Sequence, residues 1–177
     1  MTKFILYCYK KIQHSFFYRV ISNTSKQILL LDIDNTLADT WPTINQSWNS
    51  ESERLSKLNP LESVISHLFK NYSPKEYQWV FLSSRSYFSH YVTICWLKRN
   101  KMPAGWKNVI LVQSPMEKID LINKYVKNKI VYFDDLSYNH ENGEMKFYEK
   151  QIELIKINNY VEYHGYAEIL KIINNYE

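Results

Sequence analysis

The chain has 177 residues, 45% hydrophobic and 23% charged, which suits one domain with a real core and excludes a collagen, a disordered tail or a multidomain array. Three Gly and five Pro leave little material for linkers, and 16% aromatic content calls for large buried or binding surfaces. The formal charge is +4, yet residues 1 to 27 hold Lys3, Lys10, Lys11, Arg19 and Lys26 and no acid, so the remainder is close to neutral and does not look like a uniformly basic nucleic-acid binder.

In chain order, the basic segment reads as a helix. Ile5, Tyr9, Ile12, Phe16 and Val20 fall along one seam, Leu6 and Phe17 beside it, and Lys3, Lys10, Lys11, His14 and Arg19 on the other face. Its longest apolar stretch, Phe4 to Tyr9, is too short to span a bilayer and has no signal-peptide cleavage pattern, so export is not expected. Two uses fit such a helix: packing on its own domain or a sister subunit, or lying on anionic lipid. The division expected is a basic amphipathic segment over 1–26 and an α/β domain over 27–177.

Gln27 to Ile33 is a continuous apolar run ending in acids, as a strand buried on both faces would. Gln78 to Leu82, Val109 to Val112 and Ile130 to Phe133 have the same character, and helical patterns over Leu61 to Lys70, Tyr87 to Arg99 and Met116 to Val126 lie between them. This alternation predicts a parallel sheet flanked by helices, with ligand chemistry at the carboxyl ends of the strands. Further on, Asn142-Gly143 between Ser137 to Glu141 and Glu144 to Tyr148 suggests a hairpin. A helix over Gln151 to Ile157, a short strand over Val161 to Tyr163 and a final helix over Tyr166 to Ile173 complete the pattern.

Chemistry collects where the strands end: Asp32, Asp34 and Thr36 after the first, Ser83, Ser84 and Arg85 after the second, Asp134 and Asp135 after the last. Lys118 lies early in the helix after the third run. Carboxylates gathered this closely repel one another, so a divalent cation is their natural partner, and an all-oxygen donor set favours Mg2+ over zinc. Each residue also has an ordinary use: acids after strands cap helices, Ser84 suits a turn, and Arg85 can pair with a nearby acid. His67, His90, His140 and His164 sit in unrelated contexts that suit packing or surface roles. Cys8 and Cys95 build no disulfide framework and match no zinc or thioredoxin spacing, which points to a reducing compartment.

The ordered set Asp32-Ile33-Asp34-Asn35-Thr36, Val80-Phe81-Leu82-Ser83, Pro115-Met116-Glu117-Lys118 and Val131-Tyr132-Phe133-Asp134-Asp135 resembles the haloacid dehalogenase-like superfamily, specifically its phosphatases. The resemblance spans residues 27 to 136. It implies a Rossmann-like HAD-type fold and a Mg2+-dependent phosphomonoester hydrolase. Asp32 would be the nucleophile that forms an aspartyl phosphate, and Asp34 the general acid and base. Thr36, Ser83, Ser84 and Lys118 would bind phosphate, and Arg85 would contact substrate. The metal would be held by Asp32, Asp134, the main-chain carbonyl of Asp34 and, as an additional ligand or orienting group, Asp135.

Once the crossover helix is placed, Ala38 to Lys57 is all that remains for a cap between the first two motifs. That predicts little or no cap, an open site, and access shaped by Trp41 and Trp48 or by a neighbouring subunit. The substrate expected is a phosphorylated metabolite or a sugar- or lipid-linked intermediate. Two other readings stand beside it: a polynucleotide 3'-phosphatase-like enzyme, and a phosphate-binding scaffold without turnover. A homo-oligomer formed through the N-terminal helix, a cytoplasmic location and peripheral contact with the inner membrane face are the associated expectations, with nucleic acid the less favoured partner.

Overall fold

In a computed structural model of the protein, residues 2–138 and 144–175 are described. Helix α1 (Thr2–Ser22) leads into strand β1 (Gln27–Leu31). A short insert follows: β2 (Ala38–Asp39), α2 (Trp41–Ile44), α3 (Glu51–Ser56) and β3 (Asn59–Pro60), with β2 and β3 paired antiparallel. Then come α4 (Glu62–Asn71), β4 (Tyr77–Ser83), a 3-10 turn over Tyr87–Ser89, α5 (His90–Arg99), β5 (Val109–Leu111), α6 (Pro115–Tyr125) and β6 (Ile130–Phe133). The chain continues through β7 (Ser137–Tyr138), β8 (Lys146–Phe147), α7 (Glu149–Lys156), β9 (Val161–His164) and α8 (Tyr166–Asn174).

Five of the strands form one all-parallel sheet in the order β5-β4-β1-β6-β9. Because side chains alternate across a strand, the apolar runs serve two cores at once. Leu29, Leu31, Phe81, Val109 and Phe133 face a core with residues of α3, α4, α5 and α8, while Ile28, Leu30, Val80, Ile110 and Tyr132 face one with α1, α6 and α7. The parallel sheet with helices on both faces is the expected Rossmann-like architecture. The order reverses at β1, whose neighbours are β4 and β6, so the carboxyl ends of these three strands define the switch-point crevice.

The predicted strands and helices all occur, with ends moved by a few residues. The Tyr87 to Arg99 pattern divides into a 3-10 turn and α5 because Ser86 accepts the Phe88 amide and sets a tight entry. Helix α6 starts sharply because Ser114 accepts the Glu117 amide and Pro115 occupies the first turn. Ser137–Tyr138 pairs with Lys146–Phe147, so the arms of the expected hairpin meet. Its Asn142-Gly143 turn lies outside the described residues, as does His140. The buried histidine His90 sets its Nε2 2.8 Å from the Val109 carbonyl, and His164 stacks on Phe133, which suits the packing roles expected of them.

The buried face of α1 is rotated from the expected seam. Phe17, Ile21 and Gln13 are buried, Phe16 and Val20 half-buried, while Ile5, Tyr9 and Ile12 are exposed. Tertiary polar contacts set the rotation. Gln13 Oε1 accepts the Leu111 amide at 3.0 Å, satisfying a backbone donor on edge strand β5, and Lys10 and His14 reach Glu117 at 3.1 and 2.7 Å. Moment arguments weigh only hydrophobicity and do not anticipate a buried Gln.

Candidate active site

The loop after β1 folds back on itself: Ile33 O accepts the amides of Leu37 and Ala38 at 2.9 Å each, and Asn35 takes a left-handed φ of 55°. Asn tolerates that region, and the turn leaves Asp32 and Asp34 side by side at the sheet's carboxyl edge. After β6, Leu136 has a φ of 42°, a costly conformation for a bulky side chain, and its amide donates to Asp134 Oδ1 at 2.9 Å. Backbone strain thus accompanies the turn that aims the last two acids.

One side of the site is an ion cluster. Lys118 Nζ lies 2.6 Å from Asp32 Oδ1 and 2.7 Å from Asp134 Oδ2, with all three side chains nearly inaccessible. Tyr132 donates its hydroxyl to Asp134, Tyr163 donates to the Asp134 carbonyl at 2.7 Å, and Ser137 donates to Asp135. Oxygens of Asp32, Asp134 and Asp135 come within 4.8 Å of one another. Burial, with the neighbouring charge of Asp134, lifts Asp32 to about 7 against the opposing pull of Lys118. Burial and the charges of Asp134 and Asp32 likewise push Asp135 well above the usual carboxylate range.

The donor set fits a divalent cation. Three buried carboxylates face one ammonium, so full ionisation leaves two negative charges that such an ion would neutralise, and every donor is oxygen. The triad could hold a metal ion.

The other side is a neutral pair. Arg85 Nε and Nη2 each reach Asp34 at 2.7 Å in a bidentate fork, and Nη1 reaches Thr93 Oγ1 at 3.3 Å. Thr40 and Ser83 hydroxyls donate to Asp34 at 3.1 and 3.3 Å. Burial works to raise Asp34, but the charge and hydrogen bonds of Arg85 outweigh it and hold this carboxyl down at about 2.

An open cavity of ≈ 440 Å³ joins the two sides. Asp32, Asp34, Ser83, Ser84, Arg85, Lys118, Asp134 and Asp135 all line it, so the structure brings the expected residues together apart from Thr36. Thr36 is fully buried, and its hydroxyl accepts the Asp135 amide at 3.3 Å, tying the first acidic loop to the last in place of the phosphate contact expected of it. Asp34 turns its carboxylate to Arg85 and its side chain is not among the triad, which leaves only its main-chain carbonyl for the ligand role expected of it. Arg85 in turn points its donors at protein groups, and Ser84 is exposed at the rim.

Trp41 and Trp48 do not line the cavity. Trp41 stacks on Tyr166, and Trp48 donates to the Thr43 carbonyl at 2.9 Å, so both brace the insert. Its residues that face the cavity are Thr40, Ile44, Glu51 and Arg54, which the sequence reading did not single out. Arg54 is held by Glu51 at 2.6 Å, an i,i+3 helix pair that resembles ordinary surface charge in sequence. Tyr132 was legible: strand alternation puts it on the face of Asp134, and a buried Tyr hydroxyl needs a partner.

No protein-family model and no curated protein sequence matches this chain. Among solved structures it is similar to a class C acid phosphatase from Bacillus anthracis with tungstate bound, at 14% identity and a TM-score of 0.51, over 93% of this chain and 90% of that one. A second structure of the class C acid phosphatase from Bacillus anthracis matches at 14% identity and a TM-score of 0.50, covering 96% and 89% of the two chains. At this identity the likeness concerns the fold, and most of the chain takes part in it.

Proposed function

We propose that this chain is a divalent-metal-dependent phosphomonoester hydrolase working through an aspartyl phosphate on Asp32. The observation that carries the reading is the position of Asp32: at an open cavity on the switch-point edge, in contact with Lys118 and within the carboxylate triad. The ordered motifs and the fold shared with class C acid phosphatases support it.

Asp32, Asp134 and Asp135 would hold the cation, Mg2+ by its all-oxygen donors, which supplies charge neutralisation beside the transferring phosphoryl group. Asp32 attacks phosphorus, forming its own O–P bond as the P–O bond to the leaving group breaks. Lys118 and Ser83 steady the phosphoryl oxygens as charge moves onto them. In the second displacement, water breaks the aspartyl phosphate while Asp34 takes its proton. The Arg85 fork holds Asp34 in the ionised state that step needs. For the first displacement Asp34 must leave Arg85 and take up a proton from the entering phosphate monoester monoanion; it passes that proton to the leaving oxygen and is ionised again for the second step.

The short insert leaves the mouth open, which suits substrates larger than the cavity, such as phosphorylated sugars or lipid-linked intermediates. A panel of phosphorylated metabolites, with 3'-phosphorylated oligonucleotides included, assayed with Mg2+ and with chelator, tests the reading. Turnover that appears only with metal and disappears in Asp32→Asn is expected. Full turnover by Asp32→Asn would remove the assigned chemistry.

A further inference from the structure

The first turns of α1 are not consumed by the fold. Gln13 stands level with Leu111, the last residue of β5, and the chain runs from there back toward its start. At about 1.5 Å per residue, Phe4 stands roughly 13 Å beyond the carboxyl edge of the sheet, the edge that carries the cavity. Phe4 is 72% exposed, and Ile5 and Ile12 share its outer side.

This stripe continues onto the 3-10 turn over Tyr87–Ser89 and α5. Tyr9 packs edge-on against Phe88, at 5.9 Å between ring centroids, and Phe88, Tyr91 and Cys95 follow at helical spacing along an outer face. Phe88 is 64% and Tyr91 67% exposed, and Tyr91 stacks with the exposed Trp106. A continuous aliphatic and aromatic surface of this kind on a monomer marks an interaction site.

Charge decides what covers it. Residues 2–26 and 77–116, which build this face, contain no Asp or Glu, although the chain has 18 acids in all. Lys3, Lys11 and Lys107 flank the apolar residues. In a two-fold contact between copies of the chain, these lysines would meet their own counterparts with no acid to answer them. Nucleic acid would use ring faces for stacking, but Tyr91 and Trp106 already stack on each other and Phe88 is packed on Tyr9. Protruding aliphatic side chains suit acyl chains instead. Among the described residues no helix is long and apolar enough to cross a membrane.

We infer that the start of α1 and the outer face of α5 form a peripheral docking surface for an anionic lipid bilayer, with the active-site edge turned toward that bilayer. Phe4, Ile5 and Phe88 enter the headgroup boundary, while Lys3 and Lys11 meet lipid phosphates. The assignment stands apart from the chemistry proposed for the cavity.

The full-length protein is sedimented with phosphatidylcholine vesicles, with and without phosphatidylglycerol, at low and high salt. Binding to the anionic vesicles at low salt and release by salt are expected. Lys3→Gln and Lys11→Gln should each weaken binding about fivefold, and Phe4→Ser with Ile5→Ser should reduce it at least tenfold. The Phe4/Ile5 double variant should keep the melting temperature and aryl-phosphate turnover of the parent. Lys171→Gln, on α8 beside the opposite edge strand, should bind like the parent. Phe88→Ser gives an independent test should the double variant fold poorly. Full-length protein that ignores anionic vesicles at low salt overturns the inference, as does binding indifferent to both the apolar and the lysine substitutions. A concentration-dependent dimer abolished by Phe4→Ser with Ile5→Ser would assign the surface to a second copy. Binding of single-stranded oligonucleotides lost in Phe88→Ser, without vesicle binding, would assign it to nucleic acid.

Discussion

Asp32 and Asp34 leave the same strand two residues apart, yet the two sides of the site treat them oppositely. On the β6 side, burial and Asp134 lift Asp32 to about 7, even with Lys118 in contact. On the β4 side, the Arg85 fork overcomes burial and brings Asp34 to about 2. The difference is one of partner stoichiometry: Lys118 is shared among acids, whereas Arg85 serves one carboxylate through two bonds. One loop thereby holds a carboxylate that keeps its proton up to about pH 7 and another that is charged already.

The most severe way to break this comparison is at Asp32. Asp32→Asn should lower single-turnover phosphate release from an aryl phosphate by about 10⁴-fold or more, the scale for removing a nucleophile. Asp34→Asn should cost about 10² to 10⁴-fold, as general acid–base help does. Its first step should suffer less with a good leaving group such as nitrophenolate than with an alkyl alcohol. Equal losses for both, measured by rapid quench, would contradict an acid role for Asp34.

Arg85→Lys sharpens the contrast, because an ammonium cannot reproduce the fork. The acid limb of aspartyl-phosphate breakdown against pH, the step in which Asp34 must be ionised, should move upward by about one to two pH units. An unmoved limb would show that Arg85 does not govern Asp34.

Stability separates the sides by sign. Asp32 is raised above its ordinary 3.8, so the folded metal-free protein holds a proton that the unfolded chain has lost. Its contribution is present below about 4 and fades as pH rises toward about 7. Asp34 is lowered, so its contribution is present above about 4 and fades as pH falls toward about 2. Thermal melts of the metal-free protein should show both slopes. Mg2+ should flatten the one at higher pH, and Asp34→Asn should remove the acid one. The smallest effect is expected in the insert: Arg54→Ala should change KM several-fold for multiply anionic substrates while leaving kcat for an aryl phosphate close to the parent value. Arg54 lines the cavity and is absent from the ion cluster.

Much of this architecture follows from local pattern. Short apolar runs such as Leu29-Leu30-Leu31 and Val131-Tyr132-Phe133 demand burial on both faces, and intervening helical periods demand crossovers, so a parallel sheet with acids at its carboxyl edge follows without further information. The same logic brings Asp32, Asp134 and Lys118 to one edge, because Asp32 and Asp134 follow central strands and Lys118 lies in the first turn of the helix that leaves the carboxyl end of edge strand β5. Pairings across the chain are decided otherwise. That Arg85 takes Asp34, that Thr36 faces Asp135, and that α1 turns Gln13 inward to satisfy Leu111 depend on which donors and acceptors burial leaves without water. Sequence determined which acids at the strand ends, and which lysine, reach the site, since periodicity and strand ends are local properties of the chain; tertiary structure alone decided which insert residues join them and which carboxylate is neutralised by whom, because electrostatic partnership in a buried edge is set by distances between residues dozens of positions apart.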